Sequence, residues 1–163
     1  MLEFLHRLWR TKGHGIHSPF AFRLVTTVIN CPYSYYAYPT LDRAAKHTGE
    51  SKDWIRLLHR LVCEFAPTAV ATDVPLSTAE RKAIKAADSR IIFSDAAAPL
   101  VIRDTLPSQL PESGVVIARS GGIPPTVTRT YGMLFTDGRI VIAVMRHDLP
   151  PQDFNIRILP PLK

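Results

Sequence analysis

The chain has 163 residues, 46% of them hydrophobic and 21% charged, and a formal net charge of +6. This is ordinary globular composition with enough chain to bury a core. No run approaches the roughly 20 apolar residues of a membrane-spanning helix, which excludes a membrane partner at this level.

Leu2, Leu5 and Trp9, joined by Phe4 and Leu8, predict a short amphipathic helix at the start. Charges interrupt its apolar pattern and no small-residue cleavage site follows, so Met1–Lys12 does not read as a secretory signal and the expected location is cytoplasmic. The turn His14-Gly15-Ile16-His17-Ser18-Pro19-Phe20 comes next. Ser18 is a good N-cap and Pro19 a good first helical residue, because proline has no N–H to leave unpaired. The helix it opens is expected to run to Ile29 and to end before Pro32. The two histidines have no third ligand nearby and are read as structural, bonding backbone where the arm folds onto the core. Tyr33, Tyr35, Tyr36 and Tyr38 then fall within six residues. They are expected to wedge the arm against the core rather than to stack on a base.

Trp54, Leu58, Leu61 and Phe65, backed by Ile55 and Val62, predict a helix over 53–65, with His59 at its surface or boundary. A short strand is expected over 68–72. Ser77-Thr78-Ala79-Glu80 is a capping box opening a helix to about Ala87. Arg90–Phe93 and Val115–Ala118 read as buried strands, while 98–109 is ambiguous, its Leu100, Ile102 and Leu106 permitting a helix broken by Pro107. Residues 68–118 thus alternate strand and helix, the pattern of a parallel sheet with crossovers. Strands over 126–135 and 139–145 meet at Asp137-Gly138, a strong hairpin signal. A last strand covers 153–159. No repeat or long linker divides the chain, so one domain is expected over 1–163, with a helical arm at 1–50 and an α/β core at 51–163. Cys31 and Cys63 lack zinc-ligand spacing and read as reduced, buried thiols. No Ser-His-Asp or Cys-His pattern stands out.

Charge is uneven. Residues 1–60 hold nine Lys or Arg against four Asp or Glu, and the remainder eleven against ten. Arg7, Arg10, Lys12 and Arg23 make a basic arm that reads first as a solvated face and second as an attractor of phosphates.

Three stretches together resemble a bacterial branch of the class I S-adenosylmethionine-dependent methyltransferases, small-molecule O-methyltransferase-like in its core. They are the His14–Phe20 turn, the tyrosines at 33–38, and Gln152-Asp153-Phe154-Asn155-Ile156-Arg157-Ile158 near the end. Within the core, Arg90–Asp95 looks like that family's fourth strand with its terminal acid, and Leu110–Ile117 like the lead into its fifth. The resemblance implies an α/β fold: a truncated Rossmann-like sheet, parallel in its core with antiparallel C-terminal strands, behind an N-terminal helical arm.

Departures from the family fall at the chemistry. Where the family's first strand enters a glycine-rich turn that lets backbone approach the cofactor, this chain has Ala71-Thr72-Asp73-Val74-Pro75-Leu76-Ser77. The second and third strands are expected to be missing. The expected fifth strand ends in Arg119-Ser120 rather than in acids, a poor divalent-ion site beside Asp95, so no metal is expected. Three readings follow. In the first, the chain keeps the architecture, has lost ordinary cofactor binding, and serves as a binding or scaffolding module. In the second, it is a working enzyme with an atypical pocket, where Asp73 or Asp95 contacts S-adenosylmethionine. In the third, the basic arm binds nucleic acid. Both acids also have a plainer role as caps of the following helices. A sheet edge left open by absent strands predicts a homodimer.

Overall fold

A computed structural model of the chain describes residues 13–94 and 96–159. The predicted helix at 2–9, Asp95 and the last four residues lie outside the described residues. The protein is an α/β structure built on a seven-stranded, mostly parallel sheet.

The His-Gly turn leads into α1 (Pro19–Arg23), where the Ser18 hydroxyl accepts from Ala21 N–H at 3.3 Å and Pro19 takes the first turn. Gly13 carries φ +81°, and a Cβ there would collide with the Phe22 ring, so the turn closes tightly onto the helix. The expected single helix to Ile29 instead widens after Arg23 into a π-helical segment (Leu24–Ile29). Its signature is the Asn30 N–H bonding the Val25 carbonyl at 2.9 Å, five residues back. Helix α2 (Tyr38–Thr48) begins inside the tyrosine run and was not visible in the apolar pattern. Helix α3 (Lys52–Phe65) buries the predicted face, and Ala66 ends it in a left-handed conformation before Pro67. Helix α4 (Thr78–Ala87) has the predicted capping box, with Ser77 Oγ accepting from Glu80 N–H and the Glu80 carboxylate from Ser77 N–H.

The strands are β1 (Ala69–Thr72), β2 (Ile92–Ser94), β3 (Leu100–Arg103), β4 (Gly114–Ala118), β5 (Met133–Thr136), β6 (Val141–Met145) and β7 (Gln152–Asn155). Their order across the sheet is β2-β1-β3-β4-β6-β5-β7. Residues 98–109 are therefore not a helix. Leu100 and Ile102 point into the core while Val101 and Arg103 face away, a period of two that strands impose. The strand expected as the fourth, at 90–93, lies instead at the sheet edge beside β1, and β3 occupies the place between β1 and β4. In a doubly wound order this gives β2 the place of a second strand, one of the two expected to be missing. The C-terminal strands are only partly antiparallel. β6 runs against both β4 and β5, but β7 pairs parallel with β5. The strand expected over 126–135 shortens to its last residues, and the one over 153–159 stops at Asn155.

Among the described residues, all helices lie on one face of the sheet. Their apolar side chains share a core with Val70, Leu100, Ile102, Val115, Ile117, Met133, Phe135, Ile142, Val144 and Phe154. The opposite face carries Val116, Ala118, Leu134, Val141 and Ala143, covered by Leu106, Leu110, Ile123 and Val127 from the connections at 104–113 and 119–132. These connections are loops where a doubly wound sheet has crossover helices.

The hairpin turn fixes the chain end. The buried Asp137 carboxylate accepts from the backbone N–H groups of Arg139, Ile140 and Leu159, at 2.9, 3.0 and 3.3 Å, and from the Arg139 guanidinium at 2.9 Å. Burial pushes this carboxyl up, but the donors outweigh it and hold it below the ordinary range. Asp137→Ala is expected to lower stability by about 2–4 kcal/mol through the orphaned donors. Urea unfolding checks this as a lower midpoint at unchanged slope.

Candidate functional site

Open α/β sheets hold ligands beyond the carboxyl ends of their strands, at the point where the strand order reverses. Here that point lies between β1 and β3. Asp73, the predicted cofactor contact, stands immediately after β1. Arg103 at the end of β3 donates from Nε to Asp73 Oδ2 at 2.7 Å, so an ion pair spans the crevice. The turn below is closed on itself. Thr72 Oγ1 accepts from Val74 N–H at 3.1 Å and donates to the Val74 carbonyl at 2.7 Å. Neither a glycine nor a free row of N–H groups faces the crevice from 72–75, since Pro75 has no donor. Asp73 does not cap α4, because Ser77 does.

The carboxylate buried nearest the strand ends is one that sequence reasoning assigned only to a cap. Glu80 has 0% exposure. It accepts from Trp54 Nε1 at 2.9 Å, Arg119 Nη1 at 3.0 Å and Ser77 N–H at 2.8 Å. Arg119, at the end of β4, is thus a structural cation rather than a replacement for a metal-binding acid. It lines an open cavity of about 350 Å³ with Glu50, Trp54, Asp104, Arg139 and Leu159, adjoining the crevice at the carboxyl end of the sheet. The Ser120 N–H bonds the Asp104 carbonyl at 2.8 Å and ties the ends of β3 and β4 together.

His14, Gly15 and His17 are exposed, while Ile16 between them is buried. The turn therefore anchors through Ile16 and the Ser18 cap. No group of three or more His, Cys, Asp or Glu that could hold a metal occurs among the described residues. Within the tyrosine run, Tyr38 is buried and Tyr35 packs on it at 5.3 Å between ring centroids, as the wedge predicts. Tyr33 and Tyr36 face solvent, which the wedge does not predict.

His59 is buried, at 3% exposure, not at a boundary. Its Nδ1–H donates to the Ala83 carbonyl at 3.1 Å, which leaves Nε2 to accept from Cys63 Sγ at 3.7 Å. The i, i+4 spacing of the two residues on α3 was the available signal for this pair. Burial holds the His59 pKa below its usual value and pushes the Cys63 thiol up, so both are neutral at pH 7 rather than a thiolate–imidazolium pair. Both cysteines are free, and neither is buried as expected, Cys31 being half-buried and Cys63 exposed. No helix among the described residues is long and apolar enough to cross a membrane.

No family model, curated protein or solved structure matches the chain.

Two outcomes follow from these contacts. Glu80→Ala removes the acceptor shared by Trp54, Ser77 and Arg119 and is expected to cost about 3 kcal/mol in chemical denaturation. For His59, the contribution to stability is complete above the ordinary imidazole pKa of about 6.5 and is lost as pH falls from there towards the lowered folded value, at a limiting slope of about 1.4 kcal/mol per pH unit. The unfolded chain takes up that proton first. Urea unfolding of wild type and His59→Gln across this window is expected to show a shallower acid loss in the variant.

Proposed function

We propose that this chain is a methyltransferase-like protein that has lost ordinary S-adenosylmethionine binding and works as a binding or scaffolding module. The observation that carries this reading is the Arg103–Asp73 ion pair at 2.7 Å across the strand-order reversal. A nucleoside-bearing cosubstrate in a Rossmann-like sheet needs close backbone approach at the end of the first strand and an unclaimed acid nearby. Here the acid after β1 is claimed by an arginine, the turn is glycine-free, and Thr72 fills the turn with its own hydrogen bonds. The seven-stranded order, with β6 antiparallel between β4 and β5, is compatible with the methyltransferase-like sheet that the resemblance implies. The turn at His14–Phe20 and the tyrosine run supply the remaining support.

A second reading, an active enzyme with an atypical pocket, draws on the place of β2. It lies beside β1 as a second strand does, and Asp95 follows it directly in sequence, where the family's ribose-binding acid is expected. The open sheet edge behind the homodimer proposal is β2 itself, three residues long with Ile92 exposed. A strand that short offers few groups for pairing with another copy.

Isothermal titration calorimetry with S-adenosylmethionine and S-adenosylhomocysteine separates the two readings. The expected result is no binding to the wild-type chain. Micromolar affinity that disappears in Asp95→Ala would establish the enzyme reading instead, because binding to the native state of that strength raises its stability measurably.

A further inference from the structure

A second cavity, of about 380 Å³, opens on the other side of the α3 N-terminus. Its walls come from the end of the π-helical segment, the start of the tyrosine run, the first turns of α3 and the segment after β7. Three guanidinium groups line it, Arg56, Arg60 and Arg157, against one carboxylate, Asp53. Arg56 is neutralised by Asp42, which accepts from its Nε at 2.8 Å. No described carboxylate forms an ion pair with the other two cations.

Arg60 is the telling residue. It is 9% exposed. Its guanidinium donates to the Val28 carbonyl at 2.5 Å, the Tyr38 hydroxyl at 2.9 Å and the Ile29 carbonyl at 3.0 Å. All three acceptors are uncharged, and no described carboxylate pairs with this cation. A buried charge is ordinarily paired, because desolvating it alone is costly. Two of its five N–H donors are left over. Arg157 on the same cavity also has no ion pair or hydrogen bond to any described residue. Asn30, in the wall of the same cavity, has an amide nitrogen that is buried without an acceptor among the described residues. Tyr33 completes the rim with a ring that is 74% exposed, on a residue whose neighbours Tyr35 and Tyr38 are packed inward.

From this combination we infer that the cleft binds a small aromatic anion of the nucleoside-monophosphate class. The phosphate lies against Arg157 and the spare donors of Arg60, where it supplies the missing counter-charge, and the base lies on the face of Tyr33. Guanidinium groups match phosphate oxygens in geometry as well as charge, and an aromatic face accepts any base. The volume falls within the span of about 300–1,000 Å³ usual for small-molecule sites. The cleft is separate from the crevice between β1 and β3, so the inference stands whether or not S-adenosylmethionine binds.

Calorimetry on the full chain at low salt tests it with adenosine 5′-monophosphate, adenosine, inorganic phosphate and a single-stranded oligodeoxyadenylate as probes. The monophosphate is expected to bind, with phosphate about tenfold weaker and adenosine without measurable heat, as a charge-assisted contact requires. Arg157→Ala is expected to weaken the monophosphate by about tenfold or more, and Tyr33→Ala by about fivefold, with Tyr33→Phe retaining it because the ring and not the hydroxyl is used. Both positions are at the rim, so unchanged melting temperatures of the free variants will show that the fold is intact. Arg103→Ala is expected to leave the affinity alone. The inference is overturned if the monophosphate gives no heat, if Arg157→Ala binds it as the wild type does, or if only the oligonucleotide binds, which would make the cleft part of a track for a nucleic-acid strand.

Discussion

Glu80 sits where two helices meet the carboxyl ends of the strands, and its carboxylate is fully buried. A bare carboxylate in that position would be too costly to keep. It persists because α3 brings the Trp54 indole N–H, the α4 cap brings the Ser77 backbone N–H, and β4 brings the Arg119 guanidinium. Three elements distant in sequence are thereby fixed to one group. The N-termini of α3 and α4 cannot slide along the sheet without leaving one of these donors unpaired. The walls of the neighbouring cavity, which include Trp54 and Arg119, inherit that rigidity.

The sheet itself is asymmetric, and side-chain size explains how it survives. On the helical face the strands carry Leu100, Ile102, Ile117, Phe135 and Ile142, with Phe135 and Phe154 stacked at 5.0 Å. On the other face they carry Ala118 and Ala143 beside Val116, Val141 and a single leucine, Leu134. Small side chains let a loop lie close to the strands, so single residues such as Leu106 and Ile123 suffice where a helix would otherwise be needed. Towards β2 this cover thins and Ile92 is exposed. The short edge strand and the thin cover therefore occur at the same side of the sheet.

Elements whose signals are local were readable from the amino-acid order. The α3 stripe, the Ser77–Glu80 box, the Asp137-Gly138 turn and the Ser18 cap each depend on neighbours a few residues apart, and each is present. Residues 98–109 misled because Leu100, Ile102 and Leu106 satisfy either period over so short a run, and sheet pairing with β1 and β4 decided the matter. The place of β2 was equally hidden, since its own residues suit any buried or half-buried strand and only the order of partners distinguishes a second strand from a fourth. At the candidate site, Asp73 was legible as an acid after a strand, but its capture by Arg103 was not, because the two are thirty residues apart. The same holds for Trp54 and Arg119 on Glu80. Long-range charge pairing leaves no periodic trace.

The distribution of arginines gives the clearest contrast between the two ends of the argument. Arg103 and Arg119 project over the strand ends and each meets an acid from another element, so the crevice where such sheets hold ligands is electrostatically complete. Arg60 and Arg157 stand around the cleft on the arm side, one bonded only to neutral groups and the other to none of the described residues. A site that has its counter-charges built in has little to gain from an anionic guest, whereas one that holds a desolvated cation against carbonyl oxygens gains directly. Arg60 also closes the carbonyls of Val28 and Ile29 where the π-helical segment ends, groups that any helix terminus leaves without an intrahelical donor, so the cation is held in place by that helix end. One side chain thus closes a helix end and carries the buried charge of the cleft.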